Sequence, residues 1–205
     1  TLSAPGDLAA HLSTAGLLAP PDRWQVGLRL PARFIGANDR AEIEVLVRDA
    51  AGAPVEGSPV TLDVTRSDAA DGPPLLTRRI TSGPDGLVST QLVPLNPGAY
   101  IVSASAGGTP TQTTLWVTAP NFSAWANQPG QVRLIPDRTQ YAVGDTARML
   151  ITSPWPTATL LLTRERGTVR AADVQTLSAG QVIPFPVPSD LAPGFAIGAV
   201  LNNGA

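Results

Sequence analysis

The chain has no cysteine and no lysine, a single histidine, a single methionine, and no apolar run near the length that a membrane-spanning helix requires. Each shortage removes a class of chemistry. Without Cys, these 205 residues hold no disulfide, no thiolate metal ligand and no cysteine nucleophile. Without Lys, all 14 basic residues are Arg, and mechanisms that need a lysine amine or a Schiff base are excluded. The lone imidazole, His11, sits among Ala and Leu near the start of the chain. It reads as an exposed or capping residue, and His-based general-base catalysis is not expected in the rest of the chain. Aromatic residues are only 5% of the whole, and charged residues 15%. The net charge is -2, and Arg78-Arg79 is the one adjacent basic pair of note. That is far from the basic stripe that phosphate binding demands, so no nucleic-acid partner is expected.

What the chain has in quantity is Pro and Gly, 21 and 19 residues, about one position in five. Long helices are therefore disfavoured. At 205 residues the chain is long for one β-sandwich and the right size for two, since such domains run to roughly 100 residues each. Residues 1–22 place Leu8, Leu12 and Ala15 on one helical stripe, with Asp7 able to cap, and are read as a short helical or linking segment. They lack the basic start and unbroken apolar stretch of a signal peptide. The start at Thr1 is what a processed chain or an internal piece would show.

From residue 23 onward the period is two. Ile43, Val45 and Val47 alternate with Glu42, Glu44 and Arg48, and Val60, Leu62 and Val64 alternate with Thr61, Asp63 and Thr65. Both are half-buried strands, and the Asp49–Gly52 turn between them predicts that they pair as a hairpin. Further strands are expected at 24–31, 75–82, 87–93, 99–106 and 112–119, seven in all, with a turn at Pro84-Asp85-Gly86. Asn96-Pro97-Gly98-Ala99-Tyr100 has the spacing of a tyrosine corner, in which a Tyr early in a strand bonds back to the upstream backbone. The first domain is thus expected at 23–119. Residues 120–130, with two prolines and no alternation, read as a linker.

A second sandwich is expected at 131–205, with strands at 132–136, 146–152, 158–165, 169–177, 181–187 and 195–202. This is one fewer than in the first, so its last strand is expected to be missing. Pro184, Pro186 and Pro188 alternate with Ile183, Phe185 and Val187. Alternate amides point to the same edge, so three prolines in this register predict an edge strand whose core-facing residues keep their pairing amides.

No residue stands out as catalytic, cofactor-binding or metal-ligating. Asp68, Asp71 and Asp85, or Asp137 and Asp145, could gather oxygens for a calcium ion, but none has a recognisable loop spacing, and turn or cap roles are the plainer reading. Glu165, between Arg164 and Arg166, reads as a solvated strand end before Gly167 rather than a tuned acid. Asn121-Phe122-Ser123 is formally a glycosylation acceptor. Trp24, Trp116, Trp125 and Trp155 could form a sugar-stacking platform; packing in cores and across the domain junction is the reading preferred here.

The stretch 132–169, VRLIPDRTQYAVGDTARMLITSPWPTATLLLTRERGTV, carries the most specific signal. Asp137, Tyr141, Gly144, Asp145, Thr146 and Ala147, then Ser153-Pro154-Trp155, then Thr163, Glu165, Arg166 and Gly167, resemble the macroglobulin-like domains of bacterial alpha-2-macroglobulins. RDAAGAPVEGSPVTLDV (48–64), a Pro-Asp-Gly turn and NPGAYIVSASA (96–106) resemble the domain preceding it. The resemblance implies a scaffold piece of a large endopeptidase trap, all-β and not an enzyme, built of tandem macroglobulin-like sandwiches of immunoglobulin or fibronectin type. It implies, as partners, neighbouring domains of the same polypeptide and, through the full-length protein, target endopeptidases. It also implies a periplasmic or cell-surface location. Covalently capturing members carry a thioester made from a Cys and a Gln, and without Cys these residues cannot supply it. No long flexible insertion is evident, so the segment is expected to lack a bait region. The rival reading is a spacer or adhesive array of immunoglobulin-like domains on a cell surface.

Overall fold

The computed structural model describes residues 23–93, 95–120, 122 and 132–204. The expected helix in 1–22, with His11, lies outside these residues, as do position 121 and most of the 120–130 linker. Among the described residues the chain is β-sheet with two single 3-10 turns, at Ser67–Ala69 and Ser189–Leu191. No helix among them is long and apolar enough to cross a membrane.

The first unit has eight strands: β1 (Gln25–Arg29), β2 (Phe34–Gly36), β3 (Ala41–Arg48), β4 (Pro59–Arg66), β5 (Leu76–Thr81), β6 (Leu87–Leu92), β7 (Gly98–Ser105) and β8 (Thr111–Thr118). They form a three-stranded sheet, β1-β3-β6, and a five-stranded sheet, β2-β8-β7-β4-β5. The alternation seen in the sequence places Ile43, Val45 and Val47 against Val60, Leu62, Val64, Val102 and Leu115 in one buried cluster. Burial of these branched side chains is the main favourable term holding the two sheets together. The Tyr100 hydroxyl donates to the Asn96 carbonyl at 2.7 Å, so the tyrosine corner is present.

Two expectations fail here. β3 and β4 do not pair; β3 bonds to β1 and β6, and β4 to β5 and β7. The Asp49 turn does form, its carboxylate accepting from the amides of Ala51 and Ala53, but the chain continues through an Arg48–Pro54 bridge and Gly57 at φ 70° before β4 begins. That ten-residue detour carries the chain to the opposite sheet, so the two apolar faces meet across the core instead of side by side. The eighth strand, β2, is only three residues long and pairs in parallel with β8, too short for any periodicity to announce it.

The second unit has β9 (Arg133–Pro136), β10 (Thr146–Arg166), β11 (Thr168–Pro186) and β12 (Ala196–Asn202). Six strands were expected, and six paired segments exist, but β10 and β11 each join two of them. The join in β10 is a large bulge: Thr152 pairs with Gly180 and Thr157 with Ser178, so Ser153-Pro154-Trp155-Pro156 stand opposite a single residue, Ala179. The bulge also switches the core-facing parity, from Ala147, Met149 and Ile151 to Ala158, Leu160 and Leu162. The long hairpin thereby folds over itself. One half is β9 with the start of β10 and the end of β11; the other is β12 with the end of β10 and the start of β11. Their inner faces share one cluster, including Met149, Ile151, Leu160, Leu162, Leu177 and Phe185.

Among the described strands β11 is terminal in its sheet. Ile183, Phe185 and Val187 are buried, Pro184, Pro186 and Pro188 are exposed, and the Val187 amide donates inward to Asp145. This is the proline-guarded edge that the sequence predicted.

Candidate functional site

Three features of the second unit lie close together: a pinned loop, an apolar groove and the contact with the first unit. The loop between β9 and β10 contains the residues whose spacing was most distinctive. The Asp137 carboxylate accepts from the Tyr141 hydroxyl at 2.7 Å and from the Arg148 amide at 3.1 Å. The Tyr141 oxygen in turn accepts from the Arg138 amide. Asp145 accepts from the Ala142 amide at 2.9 Å, and Gly144, at φ 94°, supplies the left-handed turn. The Arg138 guanidinium lies 5.0 Å from the Tyr141 ring centroid and 3.5 Å from Asp145. Asp137, Tyr141, Gly144 and Asp145 are thus a set of mutual locks, which is why those residue types occur at that spacing. Burial, then the bond to Asp137, pushes the Tyr141 hydroxyl up to about 12.

The loop overhangs a groove of about 790 Å³ at the end of the folded hairpin, lined by Leu134, Tyr141, Met149, Phe185, Phe195 and Ile197 among others. Phe185 and Phe195 meet edge to face at 6.2 Å. The lining has no Asp, Glu, His, Lys or Cys, and Arg138 is its one formal charge. Such a surface can seat apolar side chains; it is not arranged for acid-base or nucleophilic chemistry.

The contact with the first unit is made by two facing rows. Phe34, Trp116 and Ala99 lie side by side across β2, β8 and β7. Ile135, Leu150 and Val182 lie side by side across β9, β10 and β11. Together with Phe122 they form one cluster, separate from both sandwich cores. Arg148 stacks over Phe34 and Arg133 over Trp116, each with its guanidinium 5.6 Å from the ring. The Arg33 amide donates to the Asp137 carbonyl at 3.1 Å, so the pinned loop is itself tied to the first unit.

The remaining candidates are dispersed. Asp68 forms a two-pronged pair with Arg66, at 3.0 and 2.9 Å, which holds its carboxyl below the ordinary value. Asp85 caps its turn through the Leu87 amide, and Asp71 is exposed. Among the described residues no three His, Cys, Asp or Glu side chains gather at a metal-binding distance. Glu165 accepts from the Thr163 hydroxyl at 2.6 Å at the end of β10. Trp24 is half-buried against the first core, Trp116 seals the contact between units, and Trp155 sits in the β10 bulge, where its amide donates to the Ser153 hydroxyl. Trp125, Asn121 and Ser123 lie outside the described residues. The row Phe34–Trp116–Ala99 escaped the sequence reading because it needs the parallel pairing of β2, although a junction role for tryptophan was expected.

The described residues form two successive β-sheet units, each folded around its own apolar core. Residues 132–204 match the family model described as the alpha-2-macroglobulin bait region domain. The alpha-2-macroglobulin of Ralstonia nicotianae is 37% identical over 75 residues, 36% of this chain and 5% of that protein. The homologue from Deinococcus radiodurans is 28% identical over 134 residues, 61% of this chain and 13% of its own length. A crystal structure of a Salmonella alpha-2-macroglobulin mutant aligns with 95% of this chain and 14% of its own, at 17% identity and a TM-score of 0.44, a likeness too slight to carry weight. Residues 132–204 thus resemble the bait region domain of alpha-2-macroglobulins, and the chain spans only a small part of the curated proteins it matches. The expectation that the segment lacks a bait region is overturned, because the matching model over 132–204 is the bait region domain itself. The expectation rested on seeking a long low-complexity insertion, whereas most of the matched stretch is regular sheet.

Proposed function

We propose that this chain is part of the body of a bacterial alpha-2-macroglobulin that traps endopeptidases, with residues 131–205 contributing to its bait region domain and residues 23–119 forming the macroglobulin-like sandwich before it, across a linker at 120–130. The chain is a mechanical component and performs no catalysis of its own. The observation that carries this reading is the bait region domain match over residues 132–204. The tie between the units supports it. The Asp137 backbone accepts from Arg33 while its side chain locks the Tyr141 loop, so a displacement of the second unit would act on the first through this contact. A periplasmic or cell-surface location for the full-length protein is part of the same proposal.

The test uses the full-length protein. It is mixed with a broad-specificity endopeptidase, and residual cleavage of a large protein substrate is compared with cleavage of a small chromogenic peptide. A trap removes the first activity and leaves the second. If both activities persist and the protein is merely degraded, the role is that of a spacer or adhesive array.

A further inference from the structure

The outer faces of the folded hairpin carry two rows of the same design. On one half-sheet, Ile135, Leu150 and Val182 run across β9, β10 and β11 and are covered by the first unit. On the other, Val200, Leu161 and Val174 run across β12, β10 and β11, with Leu161 directly opposite both valines. This second row is open: Val174 is 69% exposed, Val200 63% and Leu161 36%. Its flanking rows are Asn202, Thr159 and Thr176 on one side and Gly198, Thr163 and Ala172 on the other. The nine positions contain no charge, and Gly198 sits where a Cβ would collide with the Thr163 hydroxyl, which keeps the patch flat. A solvated sheet face ordinarily alternates its apolar residues inward and carries charge outward. Here the outward face is apolar at its centre, and the nearest carboxylate, Glu165, stands at its rim, bonded to the Thr163 hydroxyl.

We infer that the Val174–Leu161–Val200 row is a second docking face, and that it receives another β-sandwich module of the same longer polypeptide. The occupant is identified by the row that is already filled. There a sheet row of identical composition class, one β-branched residue on each side of a leucine, is covered by a sandwich presenting Phe34, Trp116 and Ala99. Area selects a tethered occupant over a free one. Three partly exposed aliphatic side chains offer a few hundred Å², well short of the ~800 Å² per partner of a free-standing complex. A module held nearby by the chain needs far less contact, because its effective concentration is high. The inference rests on the chain being a piece of a longer alpha-2-macroglobulin, of which the curated relatives are many times its length.

The test compares hydroxyl-radical labelling, read by mass spectrometry, in the 205-residue chain and in the longer polypeptide that contains it. Leu161, Val174 and Val200 are expected to label several-fold less in the longer polypeptide, while Leu75, 61% exposed on the first unit, labels equally in both. Equal labelling of the row overturns the inference. Protection already present in the 205-residue chain, together with concentration-dependent dimerisation in sedimentation, assigns the face to a second copy and also overturns it. Val174→Glu with Val200→Glu is expected to restore Leu161 labelling in the longer polypeptide and to leave the unfolding midpoint of the 205-residue chain unchanged. Undiminished protection in that variant counts against the docking face. The protease assay reads trapping and is blind to which module covers this row, so failure of the docking face is distinguishable from failure of the trap reading.

Discussion

Asp137→Ala should unlock the loop between β9 and β10, and the size of the effect can be worked from its bonds. The carboxylate receives two donors, the Tyr141 hydroxyl at 2.7 Å and the Arg148 amide at 3.1 Å, and is itself only 16% exposed. Its approach to the Arg138 guanidinium is 3.9 Å, on a side chain nearly half exposed, and adds little. Orphaning a buried donor costs roughly 1–3 kcal/mol, and water can reach the half-buried Tyr141, so the sum is about 2–3 kcal/mol. Urea unfolding of the second unit measures it. Amide exchange at Arg148 adds a local reading and should quicken by about ten- to a hundredfold, since 1.4 kcal/mol is a factor of ten. Combining the change with Tyr141→Phe should show a coupling of about 1 kcal/mol, because the two side chains share one bond. A loss below about 0.5 kcal/mol, within the range of ordinary surface changes, would mean that the loop is held by something other than Asp137.

Stability should also depend on alkaline pH. Tyr141 holds its proton more tightly when folded, its value raised from 10.0 to about 12, so its contribution is full below pH 10 and is lost as pH rises through about 12. Tyr141→Phe should flatten that decline, and chemical denaturation across the range checks it. Leu150→Ala empties a fully buried position in the contact between the units and should cost about 2–5 kcal/mol, with the two units unfolding at separate midpoints in calorimetry. Gly86→Ala places a Cβ 2.3 Å from the Val47 carbonyl at a φ of 75°, and should reduce the yield of folded first unit more than any substitution above. Asp173→Asn breaks the ion pair with Arg164, but the carboxylate is 56% exposed, so the midpoint should move by less than about 1 kcal/mol.

The sequence by itself determined the class of fold. Period-two alternation names a face on each strand whatever its neighbours are, so the core residues of β3 and β4 were legible from local pattern alone. The tyrosine corner and the proline-guarded edge were legible for the same reason: each is a bond, or a missing donor, set within a few residues of the chain. Tertiary structure alone decided which strands pair, because alternation fixes a face and leaves the neighbour open; β3 and β4, adjacent in sequence, ended in opposite sheets. It also decided that six segments become four strands, since a bulge bends a strand without interrupting its apolar pattern enough to be told from a turn. The paired apolar rows belong to the same category. Ile135, Leu150 and Val182 are far apart in the chain and become a docking face only when the ladder aligns them, and the same registry places Val174, Leu161 and Val200 together on the opposite face.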